Sequence, residues 1–270
     1  CCACRLNRTV PDLSAPDNVR AWATIEAAKR RLVSQLLVLG LPVRSRLSED
    51  PQSGLMFDFL KPLNGAPVQT GHLGGLITLN VEEADDARRE AIRHALHEPY
   101  RTLLGHLRHE VGHYYWDRLV AQTGWLQLFR ARFGDEQQDY AGALQQHYSW
   151  GPAPDWRSRC ISAYASSHPW EDWAETFAHY LHMIDTVDTA LSYGLSADDV
   201  EMNVMPYTAD VLDSPDDAPR FLRLINGWLE LTAVLNELSQ SMGQPAFYPF
   251  VLNPPAVAKL HLVHRVVNAT

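Results

Sequence analysis

The residues with the clearest chemistry lie in one stretch, Gly105 to Trp116, which reads GHLRHEVGHYYW. At its centre is His109-Glu110-Val111-Gly112-His113, an HExxH pattern. On a helix, residues four apart share a face, with Cβ atoms about 5–6 Å apart. Two imidazoles so placed can bind one Zn²⁺, each at roughly 2.0–2.1 Å. Glu110 follows His109 by one residue and points about 100° around the helix. There it is placed to act on a water activated by the metal, as general base, rather than to bind the ion. The expected chemistry is hydrolysis with one catalytic zinc ion.

Two histidines leave a tetrahedral site short of a third protein ligand. A metzincin would carry Gly at position 116 and His at 119. Trp116 and Leu119 stand there, so that subclass is excluded. The alternative is a glutamate from a second helix. Residues 168–180 read HPWEDWAETFAHY and place Glu171 and Glu175 four apart. One of these carboxylates could bind the metal while the other accepts a hydrogen bond from a ligand histidine, which would fix that ring's tautomer and orientation. A tetrahedral intermediate also needs a hydrogen-bond donor for its oxyanion. Tyr164 and then His168 are the candidates, although His168 also stands where it could cap the helix that Pro169 opens.

Long helices must hold these groups. Val19 to Leu39 carries an apolar stripe (Trp22, Ile25, Leu32, Leu36, Leu39) after Asp17 as cap, and Gly40 stops it. Strands are expected at Leu55–Leu60 and, after Gly74-Gly75, at Leu76–Val81. The acidic turn from Glu82 suits the start of a helix reaching Leu96. Pro99 should open the HEVGH helix, which runs to about Gln122. Further helices are expected at Asp135–Tyr148, Trp156–Ser166, Pro169–Ala190, Arg220–Met242 and from Pro254 or Pro255 to Val267. Gly243 to Pro255 is an apolar, proline-punctuated loop that must pack against something, and Tyr248 in it could wall a cleft. His106, His179 and His182 read as structural or supporting histidines. The class is α+β, mostly α, with a small sheet.

Composition sets the bounds. The chain has 270 residues, 46% hydrophobic and 20% charged, with a formal charge of −9. That acidity argues against a nucleic-acid partner, and no apolar run is long enough to span a membrane. Few paired cysteines point to the cytoplasm. Cys160 reads as a small buried hydrophobe, whereas Cys1 and Cys4 have C-x-x-C spacing. The sequence sets no oligomeric state.

HExxH followed by ExxA[DE] on a later helix resembles the gluzincin metallopeptidases. The resemblance implies a zincin-like domain extended by C-terminal helices, with Glu171 as third zinc ligand, Ala174 as a small packing residue and Glu175 behind the ligands. Many gluzincins have Asp where Glu175 stands. A Tyr at position 164 resembles the oxyanion donor of some members. The same likeness implies a peptide or protein substrate lying along Gly75–Val81 as an added edge strand. The runs CRLNRTVPDLS, AKRRLV, GLITLNVEEADD, PYRTLLGHLRHEVGHYYWDRLV, SAYASSHPWEDWAETFAHYLH and SMGQPAFYPFVL are similar to a bacterial family of zinc-binding metallopeptidases carrying an N-terminal zinc ribbon. On that likeness residues 1–14 are the end of a ribbon with its linker, and 15–270 the peptidase domain. The expected activity is zinc-dependent peptide hydrolysis. The alternatives are a regulatory zinc-binding module that recognises protein partners, and a hydrolase of non-peptide amides.

Overall fold

Helix α1 (Pro16–Val38) is flanked by Ala15 rather than by the expected cap Asp17, and so begins two residues earlier than that cap implies. Pro16 sits in the first turn, where its missing N–H costs nothing and its fixed φ is already helical. Ala15 is the extended flanking residue, and Asp17 contributes as an acid in the first turn. In this computed structural model, residues 1–62, 68–95, 100, 102–195 and 205–269 are described. They form two compact units, residues 1–125 and 126–269. Pro99, expected to open the HEVGH helix, and Leu96, expected to end the helix before it, lie outside the described residues. No described helix is long and apolar enough to cross a membrane.

The first unit holds the sheet. Its strands are β1 (Asn7–Thr9), β2 (Met56–Leu60), β3 (Gly71–Leu73) and β4 (Leu76–Asn80), in the order β1-β2-β4-β3. β1 and β4 flank β2 in parallel, and β3 runs antiparallel to β4. β4 is therefore an interior strand, which corrects the expectation that substrate pairs with its edge. Gly74 and Gly75, both at positive φ (53° and 87°), turn the chain back on itself. That two-residue hairpin sets His72 opposite Ile77 and gives the edge to β3. A Cβ on Gly75 would fall 2.4 Å from the Gly54 carbonyl oxygen, so this turn admits only glycine.

Beside the sheet are α1, α2 (Asp86–Ala95) and α3 (Leu103–Leu119), the helix carrying HEVGH. α3 contacts α1 and β3. Ile25, Leu32 and Leu36 of α1, Phe57 and Phe59 of β2, and Leu107, Val111 and Tyr115 of α3 are fully buried. Polar groups are built into this core as well. Lys29 is buried and donates to Glu26 Oε2 at 2.8 Å and to Asn7 Oδ1, with its ammonium 5.4 and 5.2 Å from the Phe57 and Phe59 ring centres. Asn7 thereby ties the first strand to α1.

The second unit is helical: α4 (Trp125–Phe133, entered from the first unit at Trp125), α5 (Tyr140–Trp150), the single turn α6 (Trp156–Arg159), α7 (Pro169–Ser192), α8 (Ala218–Ser241) and α9 (Pro254–Asn268). α7, α8 and α9 pack pairwise. Trp173, Phe177 and Leu181 of α7, Phe221, Ile225 and Trp228 of α8, and Val257, Leu260 and Val263 of α9 are fully buried. The expected helix Trp156–Ser166 is instead α6 followed by extended backbone at Cys160 and a 3-10 turn at Tyr164–Ser166. The loop after α8 does pack inward. Tyr248 is buried, its hydroxyl 2.7 Å from His179 Nδ1, and Asn236 holds its backbone from both sides.

A buried histidine pair latches α9 to the start of α8. Tyr180 donates to His264 Nδ1 at 2.8 Å, and His264 Nε2–H donates to Asp217 at 2.7 Å. His261 Nε2–H donates to the Asp216 carbonyl at 2.9 Å. Burial pushes both imidazoles below 6.5, against the pull of Asp217 and Asp216 and alongside Arg220 and Arg265. The unfolded chain takes up protons near pH 6.5 while the folded rings stay neutral, so stability falls as pH drops below that value. Denaturant midpoints measured from pH 7.5 to 5.5 should decline for the native protein, with a shallower slope for His264→Asn. Equal slopes would remove His264 from the account.

Candidate metal centre

α3 is nucleated by Thr102, whose hydroxyl accepts the Gly105 N–H at 3.0 Å. From that start, 3.6 residues per turn carry His109 and His113 to the same face. Their Nε2 atoms stand 3.2 Å apart. Two nitrogens bound tetrahedrally at 2.0–2.1 Å would be separated by about 3.3–3.4 Å, so the observed pair fits one shared ion almost without adjustment. His113 and Glu110 are buried and His109 half-buried.

The surroundings fix this face. His106 meets the buried Glu83 carboxylate at 2.5 Å, which makes it a structural residue, as expected. Arg108 is buried and donates to Gln35 Oε1 at 2.8 and 3.2 Å. Tyr115 donates to the Pro42 carbonyl at 3.1 Å. His72 on β3 stacks near the His113 ring, 6.3 Å between centres, and its Nε2 accepts the Gly75 N–H at 2.9 Å. Burial, with His113 beside it, pushes His72 down to about 3, so it stays neutral and keeps that acceptor role. His72 was not singled out from sequence. Its only signal is the Gly74-Gly75 hairpin beside it.

The second unit holds the carboxylates. His168 is extended (φ −158°, ψ 149°) and caps α7, its Nδ1 accepting the Trp170 N–H at 3.1 Å. Its Nε2 lies 3.3 Å from the Gln138 carbonyl. Glu171 and Asp172 occupy the first turn, where the helix dipole favours anions. Both are buried, at 1% and 4% exposure. Tyr140 donates to Glu171 Oε1 at 2.6 Å. Tyr164 lies near the same carboxylate, and burial followed by that negative charge raises its phenol well above 10. Glu175 Oε2 accepts from Ser162 at 2.6 Å.

Asp172 has a different partner. Lys259 of α9 donates to it at 2.5 Å and to the Arg159 carbonyl at 2.7 Å, with Phe133 beneath the ammonium at 5.5 Å. Burial raises Asp172 to about 6 against the pull of Lys259. Cys160 is buried beside them, as expected, and its thiol is pushed up to about 11 by burial. Tyr140 and Lys259 were also missed in the sequence. Tyr140 carries no local pattern. Lys259 does, because a lone lysine inside the apolar run AVAKLHLV is a buried charge that must find a partner.

The family described as "Putative zinc-binding metallo-peptidase" matches residues 18–266. Uncharacterized proteins of Mycobacterium bovis and of two Mycobacterium tuberculosis strains are each 43% identical over 270 residues, covering 99% of this chain and 76% of the relative. No solved structure matches.

Removing one member of a buried ion pair strands the other charge and costs about 3–5 kcal/mol. Lys259→Met should therefore lower the unfolding free energy by that order, while Lys259→Met combined with Asp172→Leu recovers most of the loss. Denaturant unfolding of both variants checks this, and an undiminished loss in the double variant would mean that Lys259 acts through packing alone.

Proposed function

Because the chain belongs to the family of putative zinc-binding metallo-peptidases, we propose that it is a zinc-dependent peptidase whose single ion is held by His109, His113 and Glu171. The observation that carries this reading is the histidine pair on α3, 3.2 Å apart at Nε2, with Glu110 buried next to it in sequence. Two imidazoles and a carboxylate are the donor set of an open catalytic zinc site. When bound, zinc there supplies Lewis acidity, acidifying water and polarising a carbonyl.

The chain's own residues do the rest. Glu110 takes the proton from the attacking water and delivers it to the leaving amine. Tyr164, a phenol that carries its proton at neutral pH, donates to the oxyanion. His168 is the other candidate donor, and acting so would require its ring to release the cap on Trp170 or the Gln138 carbonyl. Glu175 supports a ligand histidine from behind. The substrate is a peptide or protein, and neither nucleic acid nor membrane takes part. Four free thiols support a cytoplasmic site of action. Cys1 and Cys4, their sulfurs 3.1 Å apart, are read as one ligand pair of a zinc ribbon, although Asn7–Thr9, in the stretch expected to be its linker, pairs with β2 in the sheet.

Glu110→Gln should lower kcat for peptide hydrolysis at least about a hundredfold and leave zinc content at one ion per chain in the proposed site. His113→Ala and Glu171→Gln should each lower zinc affinity. Metal analysis alongside cleavage of a proteome-derived peptide library measures both. Identical cleavage profiles for the native protein and Glu110→Gln would overturn the peptidase assignment.

A further inference from the structure

Helix α5 does not behave as an ordinary surface helix. Its eleven residues, YAGALQQHYSW, include no Asp, Glu, Lys or Arg, and none of them is buried. A helix with no buried residue is normally covered with charge, and one with aromatic residues normally buries them. Here Tyr140, Tyr148 and Trp150 are 37%, 64% and 86% exposed. Tyr140, Leu144 and Tyr148 stand at i, i+4 and i+8 and so share one face.

That face starts at the carboxylate of Glu171, to which Tyr140 donates at 2.6 Å. His147, one residue before Tyr148, sets its ring edge-on to Tyr164 at 5.7 Å. The helix is thus moored to the two groups that the proposed reaction uses. Beyond the mooring, Trp150 is left to solvent, and Tyr148, although 64% exposed, is hydrogen-bonded to Tyr164. Tyr148 lies about 12 Å along the axis from Tyr140, and Trp150 about 15 Å. An extended peptide covers the same distance in about four residues.

We propose that α5 is the specificity wall for the peptide cleaved at Glu171, and that it selects bulky apolar side chains within about four residues of the scissile bond. This rests on the zinc-peptidase reading. The contact is aromatic and uncharged, so it favours Phe, Tyr, Trp or Leu over small or charged side chains. Tyr148 and Trp150 provide it, with Leu144 between them and the site.

The test uses the zinc-loaded full chain and two peptide series, identical except for Phe or Ala at each of the four positions on either side of the bond. The native protein should favour Phe at one or more positions. Tyr148→Ser and Trp150→Ser should each lower the Phe/Ala ratio of kcat/KM about tenfold. Trp150 is 86% exposed, so the unfolding midpoint of Trp150→Ser should match that of the native protein, and Tyr148→Phe, which removes only the hydroxyl bonded to Tyr164, should keep the native Phe/Ala ratio. In parallel, fluorescence anisotropy of Glu110→Gln with the same labelled peptides reads binding without turnover, and its Phe/Ala ratio of Kd should collapse on adding Trp150→Ser. Cleavage whose ratio stays within twofold in both variants would overturn the wall while leaving the peptidase standing. No cleavage by the native protein, with selective binding lost in the variants, would do the reverse. Neither cleavage nor binding would sink both.

Discussion

Two adjacent carboxylates, Glu171 and Asp172, are buried in the first turn of α7, and the second unit is arranged around that cost. An isolated carboxylate taken out of water is expensive, and it persists only with hydrogen bonds or an opposing charge. His168 caps α7 and Pro169 opens its first turn, and the helix dipole favours anions at this end. Consecutive helical residues point about 100° apart, so each acid must then find a separate partner. Asp172 turns to Lys259 and becomes an anchor. Glu171 meets the Tyr140 phenol, which holds Oε1 and sets the orientation of the carboxylate. Neighbouring carboxylates thus diverge, one to an ammonium and one to a phenol.

The first unit solves a related problem with the same device. Glu26 and Lys29 are buried one helical turn apart, joined to Asn7 and lying against Phe57 and Phe59. Arg108, one position before the first expected ligand, is buried on Gln35 of α1. Buried polar pairs of this kind add little net stability compared with apolar residues of the same volume. What they do is fix rotation. An apolar seam tolerates a small roll of α3 against α1, whereas the guanidinium–amide contact holds one rotational setting. If the two imidazoles hold one ion as proposed, keeping their Nε2 atoms about 3.2 Å apart makes a unique rotation matter more than a further kilocalorie.

Local pattern explains which parts were legible. The HEVGH helix and the start of α7 were read because helical spacing and the His-Pro start are properties of a few adjacent residues. Where the reading failed, distant residues decided. Trp156–Ser166 has a helical pattern, but α6 stops after one turn. The Arg157 and Cys160 carbonyls are taken by the Asn253 side chain and the Arg159 carbonyl by Lys259, both from the α9 region. Partners almost a hundred residues away satisfy those backbone groups and remove the need to continue the helix. Likewise α5 starts at Tyr140 rather than Asp135, because Asp139 accepts the Gly142 N–H and caps there. The strand β3 is only three residues long, below what alternation can reveal, and Gly74-Gly75 was its one local sign. Tyr140 and Lys259 reach their carboxylates across 31 and 87 positions, separations that leave no periodic trace.

These contrasts order the second unit by how firmly its parts are held. Strong interactions converge on α7: a buried ion pair, a capped N-terminus and the aromatic packing of Phe129 and Phe133 on Trp173. α5, one loop earlier, has no buried residue and no charged one, and Tyr140 bonds its first turn to Glu171. On the proposed reading, a carboxylate that keeps its orientation needs a rigid mount, whereas a surface that selects bulky apolar side chains gains from being loosely committed before it binds. The unit separates the two requirements by one helix. The carboxylate sits in the buried first turn of α7, and the helix with the exposed aromatic rings is attached beside it through Tyr140 on Glu171 and His147 against Tyr164.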